Sequence, residues 1–246
     1  MNRKALRHVK PIKITKMVRS PLNIIIPAAG MGTRMKSFGP QSLLRINDQG
    51  LKLIDYQLKL IHKVFERQIH QIILVAGHGA SRVFEHVPNN LIKVENERYE
   101  NTNIARSLSI GLRACTSNRI LIIYGDLVFN EQALKTTCRD KSWLLTGNLQ
   151  CMTDDEVGCT SSNEIAQYLS YNIPTKWGQI AYFTGKELTL LKQILWETSS
   201  DMMYGFEIIN KIINKGGIFK TTLPEGTKIN DIDSSKDLKI IQEILT

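Results

Sequence analysis

Short apolar runs alternate with longer amphipathic segments over the first 146 residues. A short, continuous apolar run is typical of a strand buried on both faces, and apolar residues at three- and four-residue spacing are typical of a helix. The predicted strands are 24–26, 71–76, 91–94, 119–124 and 142–146, and the predicted helices are 51–67, 81–85, 104–114 and 131–137. Because strands and helices alternate, we expect an α/β fold with a mostly parallel central sheet flanked by helices.

The pattern changes after residue 146. Residues 147–185 are rich in Gly, Ser, Thr and Asn and hold only short apolar pieces, which predicts loops and short antiparallel strands. Helices are predicted over 188–196, 204–215 and 236–245, with a strand over 218–223. Because there is no internal repeat and no low-complexity linker, we expect residues 22–246 to form a single domain with a variable C-terminal half.

Positive charge is concentrated at the beginning of the chain. Residues 1–20 hold seven of the 32 Lys and Arg residues and no acid, while the remaining 25 basic residues nearly balance the 23 acidic ones. This leader lacks the apolar core of a secretory signal and the interleaved aromatic residues of a base-stacking surface. We interpret residues 1–21 as a basic, disordered extension, and we do not expect nucleic acid as a partner.

Hydropathy and cysteine usage indicate the compartment. No apolar stretch is long enough to span a membrane. Cys115, Cys138, Cys151 and Cys159 include no Cys-x-x-Cys pair, which favours free thiols in a reducing environment. We therefore expect a cytoplasmic protein without a membrane partner; no pattern in the sequence predicts its oligomeric state.

A glycine-containing loop follows the first predicted strand. Residues 28–33 read Ala-Ala-Gly-Met-Gly-Thr, and Arg34 and Lys36 follow them. Gly30 and Gly32 allow a sharp turn and close approach to a ligand, and successive backbone N–H groups in such a loop form a concavity for an anion. A phosphate-binding loop is one interpretation, and an ordinary glycine-rich turn is the other. The loop lacks the Gly-Lys-[Ser/Thr] of Walker-type loops and the third glycine of the dinucleotide fingerprint.

Two acidic residues occupy comparable positions in distant parts of the sequence. Asp126 follows the predicted strand at 119–124, at the end of the sheet where α/β folds bind ligands, and Asp233 also follows an apolar stretch. Two such carboxylates could share one Mg²⁺, with phosphate oxygens of a ligand completing its coordination. The alternatives are that Asp126 is a turn residue, and that Asp231 and Asp233 interact with the dipole of the following helix.

Motifs in the expected order over residues 23–246 resemble those of nucleotidylyltransferases with a GT-A-like fold. Residues 28–35 resemble their Gly-x-Gly-[Thr/Ser]-Arg signature, and Gly125-Asp126 resembles their metal-binding Gly-Asp. Ile232-Asp233, followed by Asp237-Leu238, resembles their closing Ile-Asp-x-x-x-Asp-Leu. The resemblance implies a Rossmann-like, three-layer sheet with a nucleotide-binding half, residues 22–146, and an acceptor-binding half, residues 147–246.

Two further segments are similar to the phosphocholine cytidylyltransferase branch of these enzymes. The first is residues 96–103 with the following Ser107-Leu108, and the second is Thr175-Lys176-Trp177. The acceptor implied is phosphocholine-like or a sugar phosphate. Because a quaternary ammonium requires an aromatic cage with acids nearby, the candidate acceptor-binding residues are Trp177, Tyr182, Tyr204 and Glu207. The same aromatic residues are equally compatible with positions in the core.

The activity that the resemblance implies is transfer of NMP from an NTP, with CTP or UTP favoured, to a small phosphorylated acceptor, with release of pyrophosphate. Asp126 and Asp233 are the implied ligands of Mg²⁺, the expected cofactor, which acts as a Lewis acid between phosphates. The implied catalytic residues are Arg34, Lys36 and Gln41. The implied nucleotide-binding residues are Ala28, Ala29, Gly30, Met31, Gly32, Thr33, Arg34, Gly77, Asn103 and Ser107.

Gln41 departs from the family pattern. The second phosphate-binding element of the family reads Pro-Lys-x-Leu-[Leu/Ile], whereas residues 40–44 read Pro-Gln-Ser-Leu-Leu. Charge-stabilising groups of this kind are typically worth about 2.7–4 kcal/mol, and an amide supplies no charge, so Lys36 and Arg45 are candidates to replace the lysine. A catalytically impaired nucleotide-binding or regulatory protein is therefore one alternative. A GT-A glycosyltransferase, with Asp231-Ile232-Asp233 as its Asp-x-Asp motif, is another.

Overall fold

The computed structural model describes residues 21–30, 39–136, 140–147, 156–232 and 237–245. The strands are β1 (Leu22–Ala28), β2 (Ile69–Ala76), β3 (Ile92–Glu95), β4 (Arg119–Ile123), β5 (Leu127–Phe129), β6 (Trp143–Gly147), β7 (Val157–Ser162), β8 (Ile165–Tyr171), β9 (Lys176–Thr184), β10 (Lys220–Thr222) and β11 (Ile229–Asp231). The helices are α1 (Leu53–Phe65), α2 (Ala80–His86), α3 (Ile104–Arg113), α4 (Gly185–Trp196), α5 (Gly205–Asn214) and α6 (Asp237–Leu245). Of the predicted extension, residues 1–21, positions 1–20 lie outside the described residues.

Within the described part of the chain, nine strands form one mixed sheet in the order β3-β2-β1-β4-β9-β6-β10-β8-β7. β3, β2, β1 and β4 are mutually parallel, as the alternation of strands and helices predicts. β9, a strand of the second half, runs antiparallel between β4 and β6, so strands from both halves share one sheet. The C-terminal ends of β1 to β4 therefore lie at one end of the sheet, beside the first residues of β9.

Apolar side chains pack on both faces of this sheet. Ile24, Ile25 and Ile26 of β1 are fully buried, and they contribute to two separate cores because successive side chains of a strand point to opposite faces. Ile24 and Ile26 belong to a core that includes α1 and α2, whereas Ile25 belongs to one that includes α3, α4 and α5. A third, smaller core lies under α6, where Ile241 clusters with Val128. Helices thus cover both faces of the sheet, as expected for the fold class.

The predicted helix over 131–137 is wrong in length. Its described part is a single 3₁₀ turn, Glu131–Leu134. The buried apolar residues of this segment, Ala133 and Leu134, are adjacent rather than one turn apart, so no apolar stripe supports a longer helix. In the second half, β7, β8 and β9 are longer than the short strands expected, at six, seven and nine residues.

No sequence pattern predicts β5 and β11. They pair with each other in antiparallel fashion, with Leu127 opposite Asp231 and Phe129 opposite Ile229. Each strand has only three residues, which is too short for an alternating pattern to be recognised. The pair brings the segment after β4 beside a segment near the C-terminus, and this contact positions part of the site described next.

Candidate functional site

A cavity of about 260 Å³ lies at the C-terminal ends of β1 and β4. This is where open α/β sheets bind their ligands. The predicted site residues that line the cavity are Ala28, Ala29, Gly30, Gln41, Asn103, Ser107 and Asp126. The lining is completed by Pro27, Ser42, Asn96, Tyr99, Thr102, Ile104, Tyr124, Gly125 and Gln179. The fold therefore brings together residues from segments that are far apart in the sequence.

Glycine allows the segments around the cavity to approach closely. A Cβ atom on Gly125 would lie 2.6 Å from Cβ of Ala28 and 2.9 Å from the carbonyl oxygen of Pro27, so the turn after β4 packs directly on the end of β1. A Cβ atom on Gly77 would lie 2.6 Å from Cβ of Tyr99. Gly77, a predicted nucleotide-binding residue, is not among the residues that line the cavity. Its place behind Tyr99 instead allows Tyr99 to reach the cavity wall.

Backbone and side-chain hydrogen bonds fix the turn that carries Asp126. Gln57 of α1 is fully buried, and its Nε2 donates to the carbonyl oxygens of Tyr124, at 3.0 Å, and Leu127, at 2.8 Å. The N–H of Ile232 donates to the carbonyl oxygen of Asp126 at 3.0 Å. The turn is therefore held from one side by α1 and from the other by the segment that follows β11.

Gln41 lies beside this turn. Its Nε2 donates a hydrogen bond to the carbonyl oxygen of Ile232, and its side chain lies among the residues that line the cavity. The residue that departs from the family pattern is thus close to Asp126, and it supplies a neutral donor there. Arg45, a candidate to replace the lysine, is exposed and does not line the cavity.

The opposite wall is a polar network that follows β3. Asn96 is buried, and its Nδ2 donates to Oγ1 of Thr102 and to Oγ of Ser107, both at 3.2 Å. Asn103 occupies the N-cap position of α3, as predicted, but its side chain makes no capping bond. Instead, its Nδ2 donates to the carbonyl oxygen of Met202 at 2.9 Å. The network explains why this segment has several small polar residues close together.

Electrostatics keep the floor of the cavity uncharged at Tyr124. Burial, and secondarily the negative charge of Asp126, raise the pKa of the Tyr124 phenol well above its ordinary value. The phenol therefore stays protonated at neutral pH and acts as a neutral hydrogen-bonding group.

Ser42 is also buried at the cavity wall, and its hydroxyl has no hydrogen-bond partner among the described residues. A bound ligand is one way to supply that partner.

None of the four predicted acceptor-binding residues, all of which are described, lines the cavity. Trp177 is buried with its ring edge-on to Tyr124 at 5.7 Å between centroids, so it supports the wall from behind. Tyr182 is buried in the core, stacked on Trp143. Tyr204 is exposed. The backbone N–H of Tyr204 donates a hydrogen bond to the Glu207 carboxylate at the start of α5. These placements give Tyr182 and Glu207 structural roles, and none of the predicted aromatic residues lines the cavity.

Lys176 is a charged residue that the sequence analysis did not single out as part of the site. Its side chain is only 4% exposed and pairs with the carboxylates of Glu156 and Asp231, the latter at 3.2 Å. Burial alone would lower the pKa of Lys176, but Asp231 and Glu156 outweigh it and hold that pKa above its ordinary value. Asp231 is therefore engaged by a buried cation, and the ion pair connects β9 to β11.

Several predicted residues lie outside the described part of the chain: Met31, Gly32, Thr33, Arg34, Lys36 and Asp233. Among the described residues, no group of three or more His, Cys, Asp or Glu side chains is arranged to hold a metal ion. Mg²⁺ often takes only one or two carboxylates and fills its other positions with water and phosphate oxygens, so Asp126 with one further acid suits it.

Within the same described ranges, no helix is both long enough and apolar enough to cross a bilayer.

Comparison with known families gives one domain match. Residues 24–142, just under half of the chain, match the family described as the MobA-like NTP transferase domain. A segment of 136 residues is 33% identical to the bifunctional protein GlmU of Neisseria meningitidis, and the alignment covers 53% of this chain and 28% of that protein. The chain thus spans less than a third of the length of that relative.

Two solved structures share the fold over most of both chains. The inositol-1-phosphate CTP transferase from T. maritima superimposes with a TM-score of 0.73 at 18% identity, covering 90% of this chain and 95% of that one. The CTP:phosphocholine cytidylyltransferase LicC from Streptococcus pneumoniae gives a TM-score of 0.72 at 19% identity, covering 92% and 100%. At these identities the likeness concerns the fold, and it confirms the predicted GT-A-like, α/β class.

Proposed function

Because residues 24–142 of this chain match the MobA-like NTP transferase domain, we propose that the protein transfers NMP from an NTP to a small phosphorylated acceptor and releases pyrophosphate. CTP is favoured, since the two solved structures of the same fold are named for reactions of CTP, and UTP is the second candidate from the motif resemblance. The acceptor is a sugar phosphate or a phosphocholine-like compound. Attack by a phosphate oxygen of the acceptor on the α-phosphorus forms the new P–O bond and breaks the bond to pyrophosphate.

The observation that carries the proposal is the position of Asp126 in the cavity. Asp126 lies between the end of β1, with Ala28, Ala29 and Gly30, and the segment near the C-terminus. The carbonyl oxygen of Asp126 accepts a hydrogen bond from Ile232, and Asp233 is the next residue in the sequence. Asp126, beside the glycine-containing segment that follows β1, is suited to a metal–triphosphate complex, and in the proposal Asp233 supplies the second carboxylate.

Positioning and charge stabilisation are the work of the protein in this reaction. In the proposal, the backbone of residues 28–33 with Arg34 holds the triphosphate, and Lys36 adds positive charge. Asp126 and Asp233 hold Mg²⁺, which when bound stabilises the negative charge that develops on the phosphates. The wall formed by Asn96, Tyr99 and Ser107 contacts the nucleoside.

The experiment is a pyrophosphate-release assay. Each of the four NTPs is combined with Mg²⁺ and with phosphocholine, glucose 1-phosphate or inositol 1-phosphate. We expect one pair to release pyrophosphate, and we expect Asp126→Asn to lower its rate by at least about 100-fold without unfolding the protein, because a neutral amide binds Mg²⁺ poorly. No pyrophosphate from any pair, with NTP binding intact, would contradict the proposal.

The alternative of a catalytically impaired nucleotide-binding protein is kept because of one contact. The Gln41 amide is neutral and donates to the Ile232 carbonyl, so it brings no charge to the cavity. Thermal stabilisation by an NTP, with no turnover for any acceptor, would favour this alternative.

The glycosyltransferase alternative loses support because Asp231, the first acid of its motif, pairs with Lys176.

A further inference from the structure

Gln179 has a backbone conformation that is unusual for a residue inside a strand. Its φ of 55° lies in the left-handed region, which is strained for a side chain larger than glycine. The other described non-glycine residues with positive φ are Glu66, Asn163, Glu164 and Asn172, and all lie in connections between elements. Gln179 alone among these lies within a strand, in the middle of β9.

A bulge in β9 produces this conformation. Leu144 of β6 is opposite Ala181, and Thr146 is opposite Trp177, so two steps along β6 are matched by four steps along β9. On the other side of β9 the pairing with β4 is regular up to Ile123 opposite Ile180. The bulge therefore begins where β9 passes the end of β4. Bulges of this kind often redirect a side chain beside a functional site.

The bulge places Gln179 at the cavity. Gln179 is among the lining residues and is half-buried. Its carboxamide has no hydrogen bond to any residue in the described ranges, so no such bond offsets the backbone strain. Strained backbone conformations cluster at functional sites, where they position a side chain.

The sheet order indicates which substrate Gln179 faces. The ends of β3, β2 and β1 carry the wall with Asn96 and the loop at Ala28, and Asp126 follows β4. β9 is the next strand in the sheet, so Gln179 lies on the far side of Asp126 from that wall. If the nucleoside lies against the β1–β3 side and its α-phosphate at Asp126, the space beside Gln179 belongs to the acceptor.

We propose that Gln179 is a specificity-determining residue that hydrogen-bonds a hydroxyl group of the acceptor, and that the acceptor is a phosphorylated polyol or sugar. This inference rests on the proposed function. A carboxamide both donates and accepts hydrogen bonds, which matches a hydroxyl group. A quaternary ammonium has no proton to donate, and its charge is recognised by an aromatic cage, of which the described lining of the cavity offers Tyr99 and Tyr124 alone.

Equilibrium binding tests the inference without requiring turnover. Inositol 1-phosphate, glucose 1-phosphate and phosphocholine are titrated calorimetrically into wild type, Gln179→Gly, Gln179→Asn and Asn163→Gly, each with Mg²⁺ and CTP or UTP at a temperature where turnover is negligible. Gln179→Gly removes both the carboxamide and the strain. Asn163→Gly is the matched control, because it replaces a residue with positive φ in the β7–β8 turn, away from the cavity.

We expect wild type to bind one of the polyol phosphates more tightly than phosphocholine. Gln179→Gly is expected to weaken that binding by about 10- to 100-fold, as loss of a buried hydrogen bond to substrate does, and to leave phosphocholine unaffected. Gln179→Asn, which tolerates the left-handed conformation and keeps an amide, should recover part of the affinity. Both glycine variants should gain stability, because glycine adopts positive φ without strain, but Asn163→Gly should bind every acceptor like wild type.

Equal binding of polyol phosphates by wild type and Gln179→Gly, or tighter binding of phosphocholine by wild type, would overturn the inference. The pyrophosphate assay judges the proposed function separately. Pyrophosphate release from phosphocholine alone, with no binding of either polyol phosphate, would retain the function and reject the inference. Binding of a polyol phosphate that depends on Gln179, with no release from any pair, would reject the function and retain the inference.

Discussion

At the scale of single residues, Gln41 contributes a hydrogen-bond donor but no positive charge to the site. The family pattern expects a lysine at this position, and the structure places Gln41 on the cavity wall with its amide bonded to the Ile232 carbonyl. The geometry of the position is therefore suitable for a donor close to Asp126. What the glutamine lacks is charge, and in the proposed reaction, which develops negative charge on the phosphates, charge is the larger part of such a contribution.

Replacing Gln41 by lysine should raise the rate of pyrophosphate release by about 10- to 100-fold. The ammonium group can still donate to the Ile232 carbonyl, and it adds a full positive charge. The measurement is steady-state kcat with the best NTP and acceptor pair. Gln41→Met, of similar length but without donor or charge, is the control and should be no faster than wild type. An unchanged kcat for Gln41→Lys would mean that another cation, such as Lys36, already fulfils this role.

At the scale of elements, the turn between β4 and β5 depends on α1 and on the pairing of β5 with β11. Gln57 reaches from α1 across the core to both ends of this turn, and Ile232 bonds to its centre. The turn carries Asp126 but has no regular structure of its own. Its conformation is therefore determined by groups from other elements, which pre-organise the carboxylate.

Gln57→Leu should lower the free energy of unfolding by about 1–3 kcal/mol, because two buried carbonyl oxygens lose their donor. It should also raise the Mg²⁺ concentration needed for half-maximal activity, since Asp126 is less well positioned. Chemical denaturation and a Mg²⁺ titration measure the two effects. Gln167→Leu is the control: Gln167 also donates to a backbone carbonyl, but it is exposed, and its replacement should change stability by less than about 0.5 kcal/mol. An unchanged Mg²⁺ requirement in Gln57→Leu would limit Gln57 to a stabilising role.

At the scale of the whole molecule, Lys176 holds together separate segments of the second half, one of which pairs with the first half. It lies at the start of β9, it bonds to Asp231 of β11, and β11 pairs with β5 in the first half. Glu156 completes a buried cluster of one cation and two carboxylates. Breaking a buried ion pair is costly because the remaining charges lose compensation in a medium of low polarity.

Lys176→Met should lower the free energy of unfolding at neutral pH by about 3–5 kcal/mol. Lys63→Met, which removes an exposed ion pair with Glu131, is the control and should cost about 0–1 kcal/mol. The pKa of Lys176 is higher in the folded protein than its ordinary value of 10.5. Its contribution is therefore complete below pH 10.5 and declines as the pH rises towards the folded pKa, so the stability difference between wild type and Lys176→Met should narrow above pH 10.5. A difference that stays constant in urea titrations across that range would contradict this assignment.

The sequence by itself determined the class of fold and much of the cavity. Apolar runs such as 24–26 and 119–124 are local signals, because a strand buried on both faces must be apolar throughout. A parallel sheet collects the C-terminal ends of its strands, and the positions of Ala28, Gly30 and Asp126 after predicted strands therefore place them at the same end of the sheet. The family resemblance added Gln41, Asn103 and Ser107, all of which line the cavity.

Only the tertiary structure decided the remaining features. The β5–β11 pair, the two bonds of Gln57 and the ion pair of Lys176 join segments far apart in the sequence, and no periodicity within one segment encodes such contacts. The left-handed backbone of Gln179 arises from a mismatch between β9 and β6, which belongs to neither strand alone. Residue types and local patterns fix which elements form, whereas the positions of individual polar groups follow from how those elements pack.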